Sequence, residues 1–386
     1  MKQHSQSGGS GCPVDPRAVR VRGGGFRRGL FAAAALLAAL AVLLLPASPA
    51  LAQTANPALA ELIKAAAAEK ELTMLQGGRY GDTEFWDEVE AAMNAKYGIN
   101  VDLQGTAGGP NMSQVTSRLL QEHKQGRSPA STDIMIASGR NQLKLASAGA
   151  LMELDWRKYI PDIRDDEIAT DGTGALVGIG VIVAAYNPNV IKPADVPKSL
   201  EDVTDPKFKG LIAATTYGSG WPQITLNLGA EKVEKVLSTI AANGNLAGNI
   251  NGDLQRIISG EFGLYLFQGN LVEVEIYKAK GAPIDWTDLG GEINAAFLAY
   301  VSVPKASRSP NLALLASVFL MTSEGQKIFF KHTERDSHYR GTGMKEYLAR
   351  RKATGKPLML ETADIIKNNP QIYRTQNAKY RKLLNR

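Results

Sequence analysis

VIVAAYNPNVIKPADVPKSLEDVTDPKFKGLIAATTYGSGW, residues 181–221, holds two apolar strands and the connection between them. The first run, Gly180 to Ala185, is halted by Tyr186-Asn187-Pro188, the mark of a buried strand meeting turn residues. Pro188, Pro193 and Pro197 keep the connection extended or turned, with room for one short helix or turn between Lys198 and Val203. The second run, Gly210 to Thr215, ends in Thr216-Tyr217-Gly218-Ser219-Gly220-Trp221-Pro222, a strand feeding a glycine loop and a helix that begins at Pro222.

The same grammar occurs three times upstream. Glu71 to Leu75, Ile99 to Leu103 and Asp133 to Ala137 read as strands, each followed by a glycine-containing loop and then a helical segment: Thr83 to Lys96, Met112 to Lys124, and the stretch running to Ala148. Repeated strand, loop and helix units predict a parallel α/β lobe, whose ligand crevice is lined by the loops at the strands' carboxyl ends. Downstream, Ala230 to Asn243 and Gly252 to Ser259 are helical, Phe262 to Phe267 is a strand, and Ala295 to Val303 is an apolar strand that carries the chain back. The chain is then expected to cross between two lobes twice: 53–183 the first part of lobe one, 184–294 lobe two, and 295–386 the return strand with helices completing lobe one.

The order of an apolar strand, Tyr186-Asn187, a proline-rich turn, then Pro197-Lys198-Ser199-Leu200-Glu201-Asp202 and Asp205-Pro206-Lys207-Phe208-Lys209-Gly210 before the next strand resembles the extracellular solute-binding proteins of bacterial ABC importers, in their iron(III)-type branch. Val303-Pro304-Lys305, the helix Pro310 to Thr322 and Ser323-Glu324-Gly325-Gln326-Lys327 match as well. The resemblance implies an α/β two-lobe periplasmic binding fold of type II with two crossing hinge strands, an inner-membrane ABC permease as partner, and a small-molecule or ferric ligand. It implies no cofactor and no catalysis.

Residues 1–52 fit a signal peptide: Arg17, Arg20, Arg22, Arg27 and Arg28, an apolar run of 16 from Leu30 to Leu45, and Ala50-Leu51-Ala52 before Gln53. A run of 16 falls short of the roughly 20 residues that span a bilayer. Arg27-Arg28-Gly29-Leu30-Phe31 resembles a twin-arginine signal, with Phe26 where Ser or Thr usually stands. Cleavage after Ala52 and a periplasmic location are expected. Cys12, the single cysteine, falls in this leader, so the mature chain has no disulfide. Six of the 44 Lys/Arg and one of the 38 Asp/Glu also fall there, leaving 38 against 37. That near-neutrality argues against nucleic acid, although residues 331–386 carry 14 Lys/Arg against five Asp/Glu, read as a solvated face. The mature chain is expected to be a monomer.

Loops that open helices suit anions, because helix N-termini carry unpaired N–H groups and partial positive charge. The candidate ligand residues are Gly78, Arg79 and Tyr80; Gly109 and Asn111; Ser138 and Arg140; Tyr217, Ser219, Gly220 and Trp221; and Tyr265, Gln268 and Asn270. Trp221 and Tyr217 are expected at the cleft, since a Gly-Ser-Gly loop offers little core to hide them. Taken singly, each glycine loop is an ordinary turn, and Arg79 and Arg140 could equally form salt bridges. Iron-binding relatives usually supply adjacent tyrosines with a histidine and an acid. This sequence has no Tyr-Tyr, and its histidines after the leader are His123, His332 and His338, so a ferric site would fall to Tyr80, Tyr217 and Tyr265. A small anionic or polar solute is the leading ligand class, ferric iron the alternative, and a secreted hydrolase the competing class. No nucleophile elbow, H-E-x-x-H or P-loop occurs.

Overall fold

In the computed structural model, which describes residues 56–214, 220–243, 254–268, 270–353, 355 and 358–384, the first element is helix α1 (Pro57–Glu69), opened by the Asn56 side chain, which accepts from Leu59 N–H. Strand β1 (Glu71–Thr73) leads to helix α2 (Thr83–Tyr97), which buries Phe85, Trp86, Val89 and Met93 at helical spacing and stops at left-handed Gly98. Strand β2 (Asp102–Gln104) lies parallel to β1, and helix α3 (Met112–Lys124) follows it. Strand β3 (Met135–Ser138) and helix α4 (Gly139–Ser147) complete the third unit.

The chain then passes between sheets within one residue. Strand β4 (Ala175–Val181) is buried throughout, Ile182 intervenes, and strand β5 (Val183–Tyr186) enters a different sheet. Strand β6 (Ile212–Ala214), helices α5 (Trp221–Leu228), α6 (Ala230–Ala242) and α7 (Leu254–Ile258), strand β7 (Leu264–Gln268), helix α8 (Leu271–Ala279) and strand β8 (Asp285–Thr287) come next. The second sheet has the order β6-β7-β5-β8. Strand β9 (Ala295–Ser302) returns antiparallel to β4, and Ile182 N–H donates to the Ala295 carbonyl at 2.9 Å, so both crossings are tied at one point.

Helices α9 (Pro310–Leu320), α10 (Ser323–Thr333) and α11 (Lys345–Ala353), strand β10 (Met359–Leu360), helix α12 (Ala363–Asn368), a π-helical turn (Gln371–Gln376) and helix α13 (Asn377–Leu384) finish the chain. One core gathers α1, α2, β3 and α9 around residues such as Leu72, Trp86, Val177 and Phe319. Another gathers Ile212, Trp221, Leu237 and Leu264. A third, with Ile179, Val181, Val183 and Tyr265, runs behind both sheets at the crossing.

Three expectations change. The run Gly180 to Ala185 is shared between two strands rather than forming one, because its two parts find different hydrogen-bonding partners. The third strand does not join the ladder of the first two: β3 belongs to another sheet, where it pairs antiparallel with β9. The C-terminal helices do not all pack with the first core. Helix α12 packs on α4, but α13 packs on α5 and α6, with Tyr380 and Leu384 buried in the second core and the Tyr380 hydroxyl 2.9 Å from Thr225 Oγ1.

Candidate functional site

The loop after β1 is built on close backbone approach. Gly77 N–H donates to the Pro110 carbonyl at 2.8 Å, and a Cβ on Gly77 would stand 1.9 Å from the Gly109 oxygen. Gly109, predicted to meet ligand, is therefore packed against the neighbouring loop, at the point where Gly77 can carry no side chain. Asn111 is exposed and engaged in a capping box: its side chain accepts from Gln114 N–H at 3.0 Å, and Gln114 Oε1 accepts from Asn111 N–H at 2.9 Å.

Arg79 reaches across the molecule. Its Nη2 lies 3.0 Å from Glu273 Oε1 on α8, and its Nη1 lies 2.5 Å from Glu334 Oε2 just past α10. Asn270 belongs to the same cluster. Its Oδ1 caps α8 by accepting from Val272 N–H, and its Nδ2 donates to Glu334 Oε2 at 3.1 Å. Gly78, at φ +70°, allows the turn that presents Arg79. Tyr80 is buried, its ring stacked 5.9 Å from Phe329 and its hydroxyl accepting from Arg335 Nη1 at 3.1 Å.

A second cluster surrounds Arg140. Its Nε lies 3.1 Å from Oε1 of Glu361, a carboxylate only 1% exposed, and its guanidinium is 5.6 Å from the Tyr373 ring centre. Burial raises the Glu361 pKa, while Arg140, Tyr373 and Gln223 oppose that rise. Gln223 comes from α5, Arg140 from α4 and Tyr373 from the π-helical turn. Three separate segments thus close over one carboxylate. Ser138 opens α4 without capping it through its side chain, and its N–H points at Met112 Sδ, 3.0 Å away.

Trp221 corrects the expectation. It is fully buried, edge-on to Phe267 with ring centres 4.2 Å apart, because the first turn of α5 lies directly over the end of β7. Gly220 (φ +87°) and Phe267 (φ +65°) are both left-handed where they meet, so the corner is tightly constrained. Tyr265 is also a core residue, 1% exposed and packed with Val181 and Leu271. Gln268 pairs with Val183 through its backbone. Tyr217 and Ser219 lie outside the described residues.

The structure thus joins Arg79 to Asn270 through Glu334, sets Tyr80 beside them, and places Arg140 in a second buried cluster. It puts Tyr80 and Tyr265 in separate cores. Among the described residues, no group of three or more His, Cys, Asp or Glu side chains is placed to hold a metal ion. Sequence reasoning missed Glu273, Glu334, Arg335, Glu361, Gln223 and Tyr373. The charged triplet Glu334-Arg335-Asp336 behind a helix was a visible signal, but nothing in the sequence linked it to Tyr80. An open depression of about 400 Å³ lies elsewhere, lined by Arg127, Pro129, Asp133 and Arg308 among others. Asp133 there accepts from Thr73 N–H, the Ser307 hydroxyl and Arg308 N–H just before α9.

Residues 131–268 match the family described as bacterial extracellular solute-binding protein. That segment is what this chain shares with extracellular solute-binding proteins. The match takes in β3, both strands of the first crossing and the body of the second sheet. Similar folds include iron-bound HitA from Pseudomonas aeruginosa, at 20% identity and TM-score 0.64 over 80% of this chain and 99% of that one. The substrate binding protein of an ABC transporter from Agrobacterium tumefaciens gives 15% and 0.64 over 82% and 94%. AfuA from Actinobacillus pleuropneumoniae, with fructose-6-phosphate bound, gives 17% and 0.61 over 82% and 98%. No curated protein matches the chain. Among the described residues, no helix is long and apolar enough to cross a membrane.

Proposed function

We propose that the chain is the exported solute-binding component of an ABC importer, which closes on a small anionic or polar solute and hands it to an inner-membrane permease without breaking a bond. The carrying observation is the paired crossing at Ile182 and Ala295, with polar side chains from both sides of it meeting in the Arg79 cluster. Two strands tied at one point form a hinge, and cargo that contacts both sides favours the closed state through its differential affinity. On this reading 53–183 begins lobe one, 184–294 forms lobe two, and the return strand leads back into lobe one, with α13 strapped to lobe two. Maturation after Ala52, a periplasmic location and a monomeric state belong to the same proposal.

Ferric iron is the second reading, because iron-bound HitA shares the fold. Its candidate ligands Tyr80 and Tyr265 lie in separate cores, which favours the solute reading.

Small-angle X-ray scattering tests the hinge. Protein recovered from the periplasm should have a smaller radius of gyration than the same protein after its cargo is stripped in mild denaturant and the chain refolded. Identical curves from the two samples would contradict closure on a cargo.

A further inference from the structure

Arg335 is the one arginine of the Tyr80 region that has no carboxylate contact among the described residues. Arg79 holds two, Glu273 and Glu334, and Arg140 holds Glu361. The Arg335 guanidinium sits 4.8 Å from the Phe297 ring centre and 5.7 Å from that of Tyr80. Aromatic rings engage a guanidinium without using its N–H groups. Of those N–H groups, only Nη1 has an acceptor among the described residues, the Tyr80 hydroxyl at 3.1 Å. Nε is buried with no hydrogen-bond partner.

The arrangement is specific. With Nη1 tied to Tyr80, the free edge of the guanidinium is Nε together with Nη2, the side-on fork that matches two oxygens of one carboxylate. Leaving a buried N–H without an acceptor is costly, so a group that supplies one gains a correspondingly strong bond. The place is also right. Phe297 pairs with Gly180 on the crossing strands, Tyr80 follows the residue that reaches α8, and Glu334, the neighbour of Arg335, is held by Arg79 and Asn270.

We propose that Arg335, oriented by the Tyr80 hydroxyl, is the residue that reads a carboxylate group of the cargo, through Nε and Nη2. This inference rests on the solute-binding reading and names the chemical class of the cargo. Glu334 precedes Arg335 in the chain and is held by Arg79, which also holds Glu273; with Arg335 these four charges sum to zero. The cluster therefore tolerates one added negative charge better than two, which favours a carboxylate over a phosphoryl dianion.

The test is a thermal-shift titration of the chain exported with its own leader, recovered from the periplasm and stripped of cargo in mild denaturant before refolding, using succinate, lactate, citrate and inorganic phosphate. At least one carboxylate should raise the melting temperature of the wild type. Arg335→Ala should weaken that response by about tenfold or more. Arg335→Lys keeps the charge and stem but lacks the fork, so it should retain the unliganded melting temperature and lose the response too. A wild type that answers to no carboxylate, a response to phosphate alone, or a response unchanged in Arg335→Lys would each overturn the assignment. A non-acidic adduct seen on the wild type by native mass spectrometry would overturn it as well while leaving the solute-binding reading in place; an empty wild type would remove both.

Discussion

Arg140 was legible in the sequence as a cation beside a helix start, but its partner was not. Glu361 stands 221 positions away, and nothing in its surroundings, Leu360-Glu361-Thr362, marks a buried carboxylate. The structure changes what Arg140 is expected to do. From the sequence, removing it should affect binding and leave stability alone. In the fold it neutralises a carboxylate that is 1% exposed, so Arg140→Ala should cost about 2 kcal/mol of unfolding free energy, below the full value for a buried pair because Arg140 itself is partly exposed. Arg140→Ala/Glu361→Gln should recover most of that loss. Urea denaturation of the three proteins checks it, and an unchanged midpoint in the single variant would mean that Glu361 is already protonated in the fold. Trp221 shows the opposite failure. Its loop looked too thin to bury it, yet the ring of Phe267 lies across the molecule where local sequence cannot place it.

At the scale of elements, the strand, loop and helix order was readable because apolar runs, glycines and caps punctuate the chain. The break at Ile182 was not, because the run from Ala175 to Tyr186 is apolar almost throughout and carries no internal signal for a change of sheet. The docking of α13 was equally silent: an amphipathic helix announces a buried face but not which core receives it.

The segment after α10 supplies an element-scale test. Asp336 is buried and holds the turn into α11 by accepting from Gly343 N–H at 2.6 Å and Met344 N–H at 3.1 Å. Gly341 is required beside it, since a Cβ there would meet the Asp336 carboxyl at 2.1 Å. Burial, opposed by those N–H groups, pushes the Asp336 carboxyl up to about 6, above the value of about 3.9 for an unfolded chain. The fold therefore prefers the protonated acid. Its contribution is fully present below about pH 4 and is lost as the pH rises through about 6. The stability of the wild type relative to Asp336→Asn should fall across that interval by an amount on the order of 2 kcal/mol. A difference that stays flat with pH would contradict the burial argument.

For the whole molecule, the two-lobe plan was legible from two apolar strands about a hundred residues apart, each flanked by turn-rich sequence. What the sequence could not convey is that two predicted anion-reading arginines, Arg79 and Arg140, are already answered by the chain's own carboxylates. Arg79 is 38% exposed, and a pair of that kind contributes only about 0 to 1 kcal/mol. It ties the loop after β1 to α8 without locking the two together. On the proposed reading cargo supplies the rest, which keeps closure reversible and suits delivery.

The most direct measurement is native mass spectrometry with metal analysis on the chain recovered from the periplasm without refolding, set against its denatured mass. The account predicts an intact organic adduct of a few hundred daltons or less, lost on denaturation. Stoichiometric iron with no organic adduct would contradict it.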